Sequence, residues 1–169
     1  MNASIRSSLA LSTLLTGCSI GVPNLIDFDA ATTGATPADD NHAVAQQPLS
    51  GTFQGTTFSG KVALSKSSFG SRQITIYEGE ASCTKVPALS DGRSIFFTPE
   101  SWTDGTSYAL SSTKMATFYA SGTNIAASKG RVEVVTIGTD KTAGSIRIRA
   151  TYNSDTKVEG EVPVYTCAE

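Results

Sequence analysis

Histidine is nearly absent from this chain, at one residue in 169, and cysteine is scarce at three. The lone histidine, His42, lies in a Pro/Ala/Gln-rich stretch with no partner in sequence to orient it, so serine and cysteine triads lack their usual base. Cys-x-x-Cys, His-Glu-x-x-His, P-loop and dinucleotide fingerprints are all missing, and with them the common metal and nucleotide chemistries. We expect no cofactor and no metal ion. Lys and Arg number 13 against 15 Asp and Glu. Setting aside Arg6 and the early acids Asp27, Asp29, Asp39 and Asp40 leaves the remainder near neutral, which excludes an electrostatic footprint for nucleic acid. Leucine is sparse, and beyond the first residues no stretch holds a helical period for three turns.

Serine, threonine and glycine among scattered β-branched and aromatic residues take the place of these features. Such a composition suits short strands. From Ser50 onward, strand-like pieces fall at 51–58, 61–66, 72–78, 93–98, 106–110, 114–120, 131–137, 144–152 and 157–166, separated by Gly, Ser, Asp and Asn clusters. An all-β fold follows, expected as an antiparallel β-sandwich or flattened barrel of about nine short strands. The end of the chain carries the clearest signal. Ile146, Ile148 and Ala150 alternate with Arg147 and Arg149. After an Asn153-Ser154-Asp155 turn, Val158, Gly160 and Val162 alternate with Glu159 and Glu161. This is a hairpin with one wet face, and a three-residue turn opposes Arg149 to Glu159 and Arg147 to Glu161. Pro163 cannot donate to a ladder, which predicts an edge or a bulge there.

The first residues read differently. Arg6 precedes an apolar run, Leu9 to Leu15, too short to cross a bilayer as a helix and suited to an export signal. Leu15-Thr16-Gly17-Cys18 resembles the bacterial lipobox, in which the cysteine is acylated and becomes the new N-terminus after cleavage. The resemblance implies a signal peptide over 1–17 and a palmitate-type lipid anchor on Cys18. A disordered tether is expected over 18–48 and the β-domain over 49–169. Ser19, where Asp would favour inner-membrane retention, implies the outer membrane. Gly17-Cys18-Ser19-Ile20-Gly21 also fits the G-x-S-x-G nucleophile elbow, but no strand, helix or histidine is supplied around it. With Cys18 committed to lipid in an oxidising compartment, Cys83 and Cys167 are left to pair. The layout is similar to uncharacterised predicted lipoproteins of the myxobacterial type. Their β-domain opens on a stretch like Gly51-Thr52-Phe53-Gln54-Gly55 and closes on one like Val158-Glu159-Gly160-Glu161-Val162 ending in cysteine. That group implies no activity.

Few residues suggest a ligand. Trp102, the single tryptophan, is expected in a loop where an exposed ring could stack on a sugar or anchor a partner, with Tyr108 extending the patch. Glu78 and Glu80 lie two apart, expected on one strand face, and could flank a glycosidic bond. Asp91-Gly92 and Asp104-Gly105 read as turns before they read as calcium ligands. The expectation is a non-catalytic, membrane-anchored interaction or structural module of the cell envelope, with a protein or glycan partner. A carbohydrate-binding module using Trp102 is the alternative, and a hydrolase with an unrecognised carboxylate pair stands well behind.

Overall fold

The computed structural model describes residues 42–68, 70–88 and 92–168; the expected signal peptide over 1–17, Cys18 and Asp91 lie outside them. Among the described residues every regular element is a strand. In chain order these are β1 (Ser50–Phe53), β2 (Thr56–Ser59), β3 (Val62–Ser68), β4 (Ser71–Tyr77), β5 (Ser94–Phe97) and β6 (Thr106–Ala109). They continue as β7 (Ala116–Ala120), β8 (Thr123–Ala127), β9 (Lys129–Thr136), β10 (Gly144–Asn153) and β11 (Thr156–Thr166). All belong to one sheet, ordered β6-β9-β10-β11-β3-β4-β5-β7-β8, with β1 attached to β11 and β2 to β1. The sheet curls into an open half-barrel around one core.

Several expectations need correction. The sheet is mixed and not purely antiparallel, because Val164, Tyr165 and Thr166 of β11 run parallel to Ala63, Leu64 and Ser65 of β3. The piece expected as one strand over 51–58 is a hairpin, turning at Gln54 and Gly55, both at positive φ. A strand over 123–127 was not expected at all, and it follows a second turn of the same kind at Ser121 and Gly122. Both turns place a non-glycine residue at positive φ, where Asn-Gly or Asp-Gly would have announced a hairpin. The strand expected over 114–120 starts later, at Ala116.

Alternation carries each strand's apolar side into the same interior. Ile74 and Ile76, Ile95 and Phe97, Ala116 and Phe118, Ile146 and Ile148, and Val158, Val162 and Val164 share one cluster with Phe53 and Phe58. Phe53 and Phe118 meet edge to face at 5.5 Å between centroids. A smaller cluster lies on the outer face, where Val62, Leu64, Tyr77 and Cys167 gather with Ala81, Cys83 and Tyr165.

The final hairpin has the expected register, with Arg147 opposite Glu161 and Arg149 opposite Glu159. The turn is one residue tighter than expected and is compensated by an irregularity between Thr151 and Asn153. Asn153 Oδ1 accepts hydrogen bonds from the N–H groups of Asp155 and Thr156, which fixes the turn. The charges extend past the hairpin. Arg147 bridges Glu161 at 2.7 Å and Glu133 of β9 at 3.7 Å, while Arg149 reaches Glu159 at 3.6 Å.

This face is not simply wet. Residues 42–48, expected as the end of the tether, lie across it as a strap. The Val44 N–H donates to Glu133 and the Ala45 N–H to Glu159, each at 3.1 Å, and Arg149 donates to the His42 carbonyl at 3.1 Å. Val44 is 2% exposed. The strap then runs beside β11, where the Glu161 N–H donates to the Gln47 carbonyl and the Leu49 N–H to the Glu161 carbonyl. The folded domain therefore begins before residue 49. This also corrects the reading of Pro163: β11 is an interior strand without a bulge at that point. β1 and the strap flank its first half and β3 its last residues. Pro163 sits at the seam between them, where its missing N–H leaves no acceptor waiting.

The lattice sets an acid limit. Hydrogen bonds from Ser145 and then Arg147 hold the Glu161 carboxyl below its usual range. A carboxyl whose folded pKa is depressed stabilises the fold above its ordinary pKa and loses that contribution as pH falls through the folded value. Thermal unfolding scans from about pH 5 downward should show a falling midpoint, and Ser145→Ala should flatten that slope. A slope unchanged by the substitution would mean that Glu161 is not the group responsible.

Candidate binding cleft

Tyr77, Ser94 and Tyr119 stand opposite one another across β4, β5 and β7. Their strand neighbours Ile76, Ile95 and Phe118 point into the core, so alternation turns these three to the outer face. The loop after β4 folds back over this row. Its tip, Ser82 to Lys85, closes on itself through paired backbone hydrogen bonds of 3.0 and 3.1 Å. Cys83 within that tip is disulfide-bonded to Cys167 at the end of β11, with Cα atoms 5.2 Å apart. The expected pair thus forms, and it pins the loop to the outer face.

A cleft of about 570 Å3 remains between loop and sheet, in the ordinary range of small-molecule sites. Tyr77, Val86 and Pro87 give it an apolar wall. Arg93 and Glu78 form its polar floor. The guanidinium holds both carboxylate oxygens of Glu78 at 2.7 Å, donates to the Thr57 carbonyl at 2.5 Å, and lies 5.8 Å over the Phe58 ring. Glu78 also accepts the Ser59 N–H. A forked pair of this kind is among the stronger charge-assisted contacts, and it locks the β1–β2 hairpin to the sheet. Glu80 and Lys85 also line the cleft, and neither side chain is in an ion pair with a described residue.

The Ser94 hydroxyl is unusual. The residue is 2% exposed, its Oγ has no hydrogen-bond partner, and it lines the cleft. An unpartnered buried polar atom costs roughly 1–3 kcal/mol.

The other expected residues fall elsewhere. Glu78 and Glu80 do reach the same cleft, but β4 ends at Tyr77, so they sit in the loop and not on one strand face. Trp102 is half-buried against the core, with its Nε1 unpartnered and the Arg72 guanidinium 5.9 Å over its ring. Part of its ring is taken up by packing against the core and by Arg72. Tyr108 is 8% exposed within the core. Burial, reinforced by the Glu100 carboxylate, pushes its phenol pKa well up, and the Glu100 backbone approaches without completing a hydrogen bond. Asp104 accepts the Ile137 N–H at 2.6 Å and so serves a turn. Among the described residues no group of three His, Cys, Asp or Glu could hold a metal ion. Sequence reasoning passed over Ser94 and Lys85, since a serine in a strand carries no signal until a loop is folded over it.

Comparison with protein-family models, curated proteins and solved structures finds no match to this chain.

Proposed function

We propose that the protein is a non-catalytic binding or structural module of the bacterial cell envelope, held on the outer membrane by lipid on Cys18. The observation that carries this reading is the cysteine arithmetic. The disulfide uses both domain cysteines, so of the three in the chain only Cys18 is left over, and it stands in a lipobox context. Two or three acyl chains, each methylene contributing about 0.8 kcal/mol on burial, make such an anchor nearly permanent. The likeness to myxobacterial-type predicted lipoproteins belongs to the same proposal. So does the finer fold, which we read as a flattened barrel left open between β6 and β8. Glu78 supports a non-catalytic role, because Arg93 holds both its oxygens and leaves Glu80 as the one free carboxylate lining the cleft among the described residues.

Expressed in an envelope-bearing bacterium, the chain should show by intact mass spectrometry a mature N-terminus at Cys18 carrying acyl groups. Cys18→Ser should abolish both the processing and the acylation. Acyl groups on the Cys18→Ser protein would show that the anchor lies elsewhere.

A further inference from the structure

We infer that the cleft between the 78–88 loop and the outer face of β4 and β5 is a binding site for a short neutral oligosaccharide. This rests on the reading of the protein as a binding module and adds the ligand class and its location, away from Trp102.

Ser94 is the first reason. Its hydroxyl is buried and unpartnered in a residue that lines the cleft, and replacing it with a carbon group would remove the cost of an unmade hydrogen bond. Several buried polar atoms in this domain lack partners, but Ser94 is the one among them that lines this opening. Rotation of the Ser94 side chain about χ1 toward the opening would let a ligand hydroxyl satisfy it.

The walls narrow the ligand further. Lys85 and Glu80 bring one charge of each sign, both unpaired among the described residues, so a strongly anionic ligand meets Glu80 and a strongly cationic one meets Lys85. A neutral polyol can donate to the carboxylate and accept from the ammonium. An acyl chain would have to bury the Arg93–Glu78 pair and Ser94 against hydrocarbon, at a desolvation cost. An extended peptide would need a backbone rail, but the Ser82–Lys85 tip bonds to itself and Pro87 offers no N–H. A pyranose presents an apolar face to Tyr77, Val86 and Pro87 and hydroxyls to the three polar groups. That match of one apolar wall with a few placed polar atoms is the general pattern of small-ligand sites.

The test titrates the full-length oxidised chain with three neutral trisaccharides, cellotriose, maltotriose and N,N′,N″-triacetylchitotriose, and with trialanine as the peptide probe. At least one trisaccharide should bind saturably, and trialanine should not. Ser94→Ala should weaken that binding about tenfold or more while raising the melting temperature. A serine with a purely structural role would raise the melting temperature and leave binding alone. Gly92 lines the cleft, and an added Cβ there meets nothing within 4 Å. Gly92→Leu should therefore block binding while the fold persists, by an unchanged circular dichroism spectrum. Saturable binding of none of the three trisaccharides overturns the inference, as does binding indifferent to both substitutions. Tighter binding of trialanine would replace it with a peptide site. The anchor is judged separately by the mass at Cys18, so either reading can fail while the other stands.

Discussion

Cys83→Ser with Cys167→Ser should lower the unfolding free energy by about 4 kcal/mol, a large share of the stability of a small domain. The bond closes a loop with a sequence separation of 84. On the chain-entropy argument, long loops gain most from closure because the open unfolded chain has most freedom to lose. The native-state effect adds to it. Cys167 is 5% exposed in the outer cluster, and through its bond to Cys167 Cys83 holds the 78–88 loop against the cluster of Leu64, Tyr77 and Tyr165. The measurement is chemical denaturation of wild type and double variant, with the wild type repeated under reductant. Reduced wild type and double variant should coincide, and the cleft side chains should lose their ordered environment in both. A loss below about 1 kcal/mol would mean that packing alone holds the loop and the chain end.

Gly160→Ala should cost about 3 kcal/mol or more, although it adds one methyl group to the middle of β11. Gly160 lies at φ 141°, a backbone conformation that favours glycine. A Cβ there would stand 2.6 Å from the Gln47 carbonyl oxygen and 2.7 Å from the Leu49 Cα. Both obstacles are backbone, so no side chain can rotate away. The strap must lift or β11 must bend, and either movement withdraws the fully buried Leu49 from the core. Gly79→Ala is the control, since a Cβ at Gly79 meets nothing within 4 Å. It should stay within about 0.5 kcal/mol of wild type. Thermal unfolding reads the cost. Limited proteolysis reads the mechanism, with new cleavage near residues 42–48 in Gly160→Ala and none in the control. A loss of stability without new cleavage there would place the strain in β11 itself.

The charges on the last hairpin illustrate how local information reaches its limit. Alternation alone opposes Arg147 to Glu161, and the structure agrees. Taken as a pair, the two could exchange signs at little cost. The structure adds Glu133 beside Arg147. Sign reversal would then set a carboxylate at position 147 against another, and the exchange ceases to be neutral. That third partner comes from β9, and nothing in the hairpin's own residues announces it.

The sequence by itself determined what depends on neighbours along the chain. Period-two alternation, with no helical period competing, settled the all-β class. It also settled most strand positions and the register of β10 on β11, because side-chain direction in a strand is a local property. The Cys83–Cys167 pairing was legible because only two cysteines remained once Cys18 was assigned to lipid. Tertiary structure alone decided what depends on segments far apart in sequence. The parallel contact of β11 with β3 follows from how the sheet curls, and the strap over residues 42–48 reads as linker by composition. Its hold comes from Glu133 and Glu159, which lie 89 and 114 positions away. The cleft was the least legible feature, since neither Ser94 nor Lys85 belongs to any motif. They line one cleft only when the disulfide folds one loop over a sheet face, because a concave surface arises from packing between segments and not from the order of residues within one.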